Sequence, residues 1–190
     1  MELKKIRKKL EKELDSKRFE HTLGVAYTAA ALAMCHQADA EKALLAGMLH
    51  DCAKCMGNDR KIAICEKHHI PISDIERQNP FLLHAKVGSY LAKKEYHVQD
   101  EDILNAITNH TTGRPAMSQL EKIIYIADYM EPGRKQAPGL SAIRKLAFQD
   151  LDKALLQILK DTLEYLQDMD MPFDPMTQTT YEYYVTGGLS

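Results

Sequence analysis

The chain has 190 residues, 45% of them apolar and 27% charged, enough to bury a substantial core as one compact domain and too apolar for a disordered chain. With 25 basic against 27 acidic residues the formal net charge is -2, which offers no broad attraction to DNA, RNA or an anionic membrane. No run approaches the roughly 20 apolar residues of a membrane-crossing helix, and the basic opening lacks the long apolar stretch of a secretory signal, so the cytoplasm is the expected compartment.

Helical spacing dominates from the start. Leu3, Ile6, Leu10 and Leu14 recur with that period in a stretch where Lys4, Lys5, Arg7, Lys8 and Lys9 are interrupted by Glu2, Glu11 and Glu13; a charged helix is expected, an anionic contact being the other reading. Residues 17–36 combine Phe19, Leu23, Tyr27, Ala30 and Met34 with helix-favouring alanines, and 40–52 continue at the same period. Asn58 is expected to cap a short helix through about His68, which Pro71 helps to stop, and Pro80 to begin another through Leu83, Val87, Tyr90 and Leu91, with His84 in its first turn.

Asp100 suits the cap of a helix over 101–110 whose Ile103, Leu104 and Ile107 form an apolar stripe. Ser118-Gln119-Leu120-Glu121 is a capping-box pattern leading into Ile123, Ile124, Ile126 and Ala127, and Pro132-Gly133 ends that helix. Residues 141–148 give a short helix and 150–169 a long amphipathic one; a turn at 172–175 and a polar, tyrosine-containing tail follow, with β-propensity enough over 179–186 for a local extended segment. No run shows two-residue periodicity between turn signals, so the expected class is all-α, a helical bundle.

Cys35, Cys52, Cys55 and Cys65 are expected as reduced, buried thiols; Cys52-Ala53-Lys54-Cys55 has CxxC spacing, but no second CxxC completes a four-thiolate zinc site. Six other side chains carry more chemistry. His21, His50, Asp51, His84, His110 and Asp128 are too far apart for one chelating loop and suit ligands donated by successive helices of a bundle. Singly, each has a plainer explanation: His21 can cap or pack a helix, and His84 and His110 lie where terminal carbonyls would hold them. Asp128 follows Ile123-Ile124-Tyr125-Ile126-Ala127, and a carboxylate on that side needs hydrogen bonds, a cation or a metal to offset several kcal/mol of burial cost. Together they point to a metal centre, and to hydrolysis of a phosphate ester or anhydride.

The ordered set His21, His50-Asp51, His84, His110 and Asp128 resembles the metal signature of the HD-domain metal-dependent phosphohydrolases. More narrowly, residues 15–175 resemble the YqeK family of symmetrical bis(5'-nucleosyl)-tetraphosphate hydrolases, through Leu49-His50-Asp51-Cys52-Ala53-Lys54, Asn109-His110-Thr111-Thr112-Gly113-Arg114, and the block from Tyr125 to Arg134. The resemblance implies one helical domain over 1–190, with an HD-type core at about 17–135, a C-terminal extension at 141–170 and a dinuclear centre in the middle. It implies His21, His50, Asp51 and Asp128 on one ion and Asp51, His84 and His110 on the other, Asp51 bridging. Two irons are implied, although imidazole and carboxylate donors also suit manganese, cobalt or zinc. The implied reaction breaks the central anhydride of diadenosine tetraphosphate to give two ADP, and a homodimer is favoured.

Two divalent ions would reverse the field of the acidic cavity toward phosphate and lower the pKa of bound water. Around them, Lys54 stands three residues after Asp51, to neutralise a phosphate oxygen or the leaving group if it is not a surface lysine. Arg114 and Arg134 offer guanidinium forks to phosphate, or internal ion pairs; Thr111 and Thr112 offer hydroxyls to phosphate or end their helix. Gly113 and Gly133 allow tight turns, Asp59 and Glu131 are candidates for proton transfer or support of a ligand, and Phe81, Tyr90, Tyr125 and Tyr129 could stack on adenine or simply pack. The competing readings are a broader nucleotide phosphatase, a metal- and nucleotide-binding signalling module without turnover, and an iron-dependent oxidation.

Overall fold

A computed structural model describes residues 2–135, 137, 139–168 and 173–187. Among them are eleven α-helices and no strand: α1 Leu3–Glu13, α2 Ser16–Cys35, α3 Ala40–Leu49, α4 Asn58–Lys67, α5 Asp74–Gln78, α6 His84–Lys94, α7 Glu101–Asn109, α8 Gln119–Met130, α9 Leu140–Ala147, α10 Leu151–Asp168 and α11 Pro175–Val185. The all-helical bundle expected from the sequence is what forms. Its axis is α8, which packs against α2, α3, α7, α9 and α10 and buries Ile123, Ile124, Ile126 and Ala127. The predicted capping box starts it: Ser118 accepts from the Glu121 amide while the Glu121 carboxylate accepts from the Ser118 amide.

The expected apolar face of α2 is not the buried one. Tyr27 and Met34 are 56% and 67% exposed, and the interior face is Val25, Ala26, Ala29, Leu32 and Ala33. The cause is the approach of α3. A Cβ on Gly47 would lie 2.7 Å from the Ala26 Cα, a separation that admits small residues only, so the large side chains of α2 turn outward.

Helix α3 stops at Leu49, short of the expected 52. The chain continues as i to i+3 turns, with the Lys54 amide donating to the Asp51 carbonyl at 2.9 Å. In such turns residues three apart eclipse, which sets Lys54 over Asp51. Gly57, not Asn58, caps α4; the Asn58 side chain accepts from Lys61 instead. Pro80 opens a short 3-10 turn, Pro80–Leu83, and His84 is the first residue of α6. Helix α5 escaped the sequence reading because five residues carry no period, although its Ser73-to-Glu76 capping box is written in the chain.

The tail segment read as extended is helical. Asp174 caps α11 and Pro175 occupies its first turn, while the Thr179 and Thr180 hydroxyls donate to the carbonyls four residues back, at 3.1 and 2.7 Å. That bond is how a β-branched threonine is accommodated in a helix. Met169, at the expected end of α10, and Pro172, opening the expected turn, lie outside the described residues. No helix among the described residues is long and apolar enough to cross a membrane.

Candidate metal centre

The fold brings all six predicted ligand residues to one place. His21 comes from the first half of α2, His50 and Asp51 from the turn after α3, His84 from the start of α6, His110 from the C-terminal cap of α7, and Asp128 from the last turn of α8. Asp51 is the hub. Its Oδ2 lies 3.5 Å from His50 Nε2 and 3.9 Å from His21 Nε2, and its Oδ1 lies 3.3 Å from His84 Nε2 and 3.5 Å from His110 Nε2. Asp128 Oδ1 closes the side toward α8, 3.0 Å from His21 Nε2 and 4.0 Å from His50 Nε2.

The hydrogen bonds behind the rings say which nitrogen is presented. Nδ1 of His50, His84 and His110 meets the carbonyl oxygen three residues back, of Gly47, Phe81 and Ile107, at 2.7, 2.8 and 2.7 Å. A carbonyl only accepts, so each Nδ1 carries the proton and each Nε2 turns a lone pair inward. His21 Nδ1 faces Glu131 Oε1 at 3.1 Å, with the same consequence. The terminal-carbonyl contacts that made His84 and His110 look structural are therefore what orients them as donors to a cation.

The interior is a convergence of acceptors. The Nε2 atoms of His84 and His110 are 3.2 Å apart, and His21 Nε2, His50 Nε2 and Asp51 Oδ1 are buried without a hydrogen-bond partner in the protein. Burial, reinforced by the Lys54 ammonium beside it, holds His84 well below the usual imidazole range. Imidazole Nε2 atoms and carboxylate oxygens aimed at one another fit divalent transition cations, and would be costly to bury with nothing between them.

The HD domain model matches residues 18–133. The chain belongs to the HD domain family. It is 44% identical over 178 residues to the symmetrical bis(5'-nucleosyl)-tetraphosphatase of Bacillus subtilis, covering 94% of this chain and 95% of that one. It is also 44% identical over 169 residues to the protein of the same name from Halalkalibacterium halodurans, covering 88% and 89%. A solved structure of an HD superfamily hydrolase from Clostridium acetobutylicum, described as involved in NAD metabolism, aligns with a TM-score of 0.94 at 43% identity over 98% of each chain.

The centre of this HD domain opens on a cleft of about 1150 Å³ between α2, the end of α8 and α10; His21, His110 and Asp128 line it. Thr111 and Arg134, predicted from the sequence, line it too, with Tyr125 and Tyr129. Arg134 donates to Asp128 Oδ1 at 2.8 Å, so it stands at the rim against a ligand residue. Lys54 is half-buried, its Nζ 3.0 Å from His84 Nε2 and 3.9 Å from Asp51 Oδ1. Burial lowers its pKa, against the opposing charge of Asp51.

Other candidates are placed elsewhere. Arg114 forks onto both Glu121 oxygens at 2.7 Å, fastening the 113–118 loop to the cap of α8, and does not line the cleft. Tyr90 stacks on His68, Phe81 is exposed, and neither they nor exposed Asp59 line the cleft. Gly113 does sit at positive φ, +65°. Gly133 serves differently, since its amide donates to Glu131 Oε2 at 2.5 Å and a Cβ there would crowd the same carboxylate.

Sequence reasoning passed over Arg18, which donates to Asp51 Oδ2 at 2.7 Å and lines the cleft beside Lys17 and Lys135. Its one signal is position, three residues before His21 on the same side of α2. Gly24 was also missed. A Cβ there would lie 2.4 Å from Glu131 Oε2, so its bare backbone is what lets Glu131 reach His21.

Proposed function

We propose that this chain hydrolyses the central phosphoanhydride of a dinucleoside tetraphosphate, taking diadenosine tetraphosphate to two ADP. The observation that carries the reading is the hub at Asp51: two carboxylate oxygens facing two different sets of imidazole Nε2 atoms at a cleft rimmed by cationic side chains. The relatives named above lend it the substrate. His21, His50, Asp51 and Asp128 would hold one divalent ion and Asp51, His84 and His110 a second, with iron as the resident metal; manganese, cobalt and zinc suit the same donors. Bound there, the ions supply charge to offset the phosphates and lower the pKa of water. A homodimer and a cytoplasmic setting belong to the same reading and rest on the resemblance and on the composition.

The chain's own residues do the rest. Arg134 and Arg18, already fixed on Asp128 and Asp51, present guanidinium groups to non-bridging phosphate oxygens without first having to be ordered. Lys17 and Lys135 extend that cationic wall along the cleft. Lys54, held between His84 and Asp51, places a compact charge where the leaving diphosphate gains its own. Thr111 offers a hydroxyl from the cleft wall, and Tyr125 and Tyr129 an aromatic surface for one base.

The test is anaerobic hydrolysis of diadenosine tetraphosphate in ¹⁸O-labelled water, with metal analysis of the same sample. Two ADP, one carrying a single labelled oxygen, is the expected result. Release of inorganic phosphate from mononucleotides with no cleavage of the tetraphosphate would replace this reading with a broader nucleotide phosphatase.

A further inference from the structure

No residue of α9 lines the cleft, and the sequence reading gave Arg144 no role. From α9, Arg144 reaches the end of α8. Its Nε donates to the Met130 carbonyl at 2.9 Å and its Nη2 to the Glu131 and Arg134 carbonyls at 2.8 and 3.1 Å. The last carbonyls of a helix lack partners within it, and a cation there also suits the helix dipole. Holding Arg134 as well does more than cap the helix, because the planar guanidinium then fixes the whole turn over 130–134.

That turn carries two side chains of the centre. Glu131 Oε1 lies 3.1 Å from His21 Nδ1, and Arg134 Nη2 donates to Asp128 Oδ1 at 2.8 Å. His21 Nε2 and Asp128 Oδ1 in turn lie 3.0 Å apart. Among the described residues no lysine or arginine pairs with the Glu131 carboxylate; besides His21 it meets the Gly133 amide, within the same turn. Glu131 is therefore aimed by the path of its own backbone, and Arg144 is the side chain that holds that path.

Arg144 is itself well anchored. Helix α9 packs against α8 and α10 and buries Ile143 and Ala147. Its end is fastened to the end of α2, where His36 Nε2 donates to the Ala147 carbonyl at 2.7 Å and Cys35 Sγ to the Phe148 carbonyl at 3.3 Å. Helix α2 is thus joined to this unit twice, at its end through α9 and at His21 through Glu131.

We infer that Arg144 is a positioning residue of the metal centre: by holding the 130–134 turn it sets Glu131 against His21 and Arg134 against Asp128. Both contacts serve the ion proposed for His21, His50, Asp51 and Asp128, so the inference rests on that reading. His50, His84 and His110 are oriented by carbonyls of their own segments and lie outside the reach of Arg144.

The experiment compares wild type with Arg144→Ala in two states. In metal-free protein, NMR of ¹⁵N-labelled histidine follows how fast each ring N–H proton exchanges with water at one pH. Exchange at His21 Nδ1 should quicken in the variant, and exchange at His50, His84 and His110 should not. In metal-loaded protein, chelator competition should show one of two ions held about tenfold more weakly, the lower end of the cost of removing a group behind a ligand histidine. Arg144→Lys keeps the charge but not the plane, so it should show the same selective change at smaller size; it is the variant to read where Arg144→Ala does not fold. Unchanged exchange at His21, or equal quickening at all four rings, overturns the inference and leaves Arg144 a cap of α8. Equal weakening of both ions overturns it too. Wild type that binds no divalent ion would remove the proposed metal centre, while exchange at His21 still decides the role of Arg144.

Discussion

Two regions of the centre hold their histidines by different means. On the side of α3, α6 and α7, His50, His84 and His110 are fixed by backbone carbonyls three residues back in their own segments, so the element that delivers each ring also orients it. On the side of α2, His21 is oriented by a carboxylate 110 residues away, which depends on the missing side chains at Gly24 and Gly133. The loop behind that carboxylate is tied down by Arg144. The first arrangement offers no side chain whose removal would loosen the ligand alone; the second offers several. The half served by His21 should therefore be the one that point changes can weaken without touching a ligand.

The largest effect should come from the residue both regions share. Asp51→Ala removes a carboxylate facing both sets of imidazoles, and turnover should fall at least roughly 10²–10³-fold, measured as diadenosine tetraphosphate cleavage. Next is Lys54→Ala, about 10²-fold in turnover, with metal content kept; loss of metal would show that Lys54 maintains the centre instead of serving the reaction.

Glu131→Ala should cost about 10- to 100-fold in metal affinity or activity, the usual effect of removing a group that orients a ligand histidine. Gly24→Ala should act in the same direction, because its Cβ would meet Glu131 Oε2. Chelator competition reads both, and the weakened ion should be one of two. Equal weakening of both ions would break the contrast between the regions.

A smaller effect belongs to Arg114→Ala, which should lower stability by about 1–2 kcal/mol through the partly exposed pair with buried Glu121, in a denaturant titration, and leave the KM for substrate unchanged. A raised KM with unchanged stability would return Arg114 to the phosphate chain. The smallest effect concerns the thiols. Burial, then the charge of Asp51, pushes the Cys52 thiol far up, and the thiolate is the reactive form. Iodoacetamide at pH 8 should label the exposed Cys35 and Cys55 and spare buried Cys52 and Cys65 until the protein unfolds, as read by peptide mass spectrometry. The sequence reading had all four buried.

Much of this was legible from residue order alone. Capping at Asp100 and Ser118 and the helical period found α7 and α8, and residue type together with separation found all six ligand candidates. What escaped was tertiary. The outward turn of Tyr27 follows from how closely Gly47 lets α3 approach Ala26, and no pattern within α2 contains that distance. The tail read as extended because Thr and Tyr favour strands, and it is helical because Asp174, Pro175 and back-bonding threonines supply local alternatives. Arg18 and Arg114 look alike in a sequence; only the fold sets one on Asp51 and the other on Glu121.

The hub is tested most directly by counting metal ions per chain in protein prepared anaerobically, wild type beside Asp51→Ala, by inductively coupled plasma mass spectrometry. Two ions per chain in wild type and fewer than one in the variant is the predicted result. Two ions retained in Asp51→Ala would contradict a shared carboxylate at the centre.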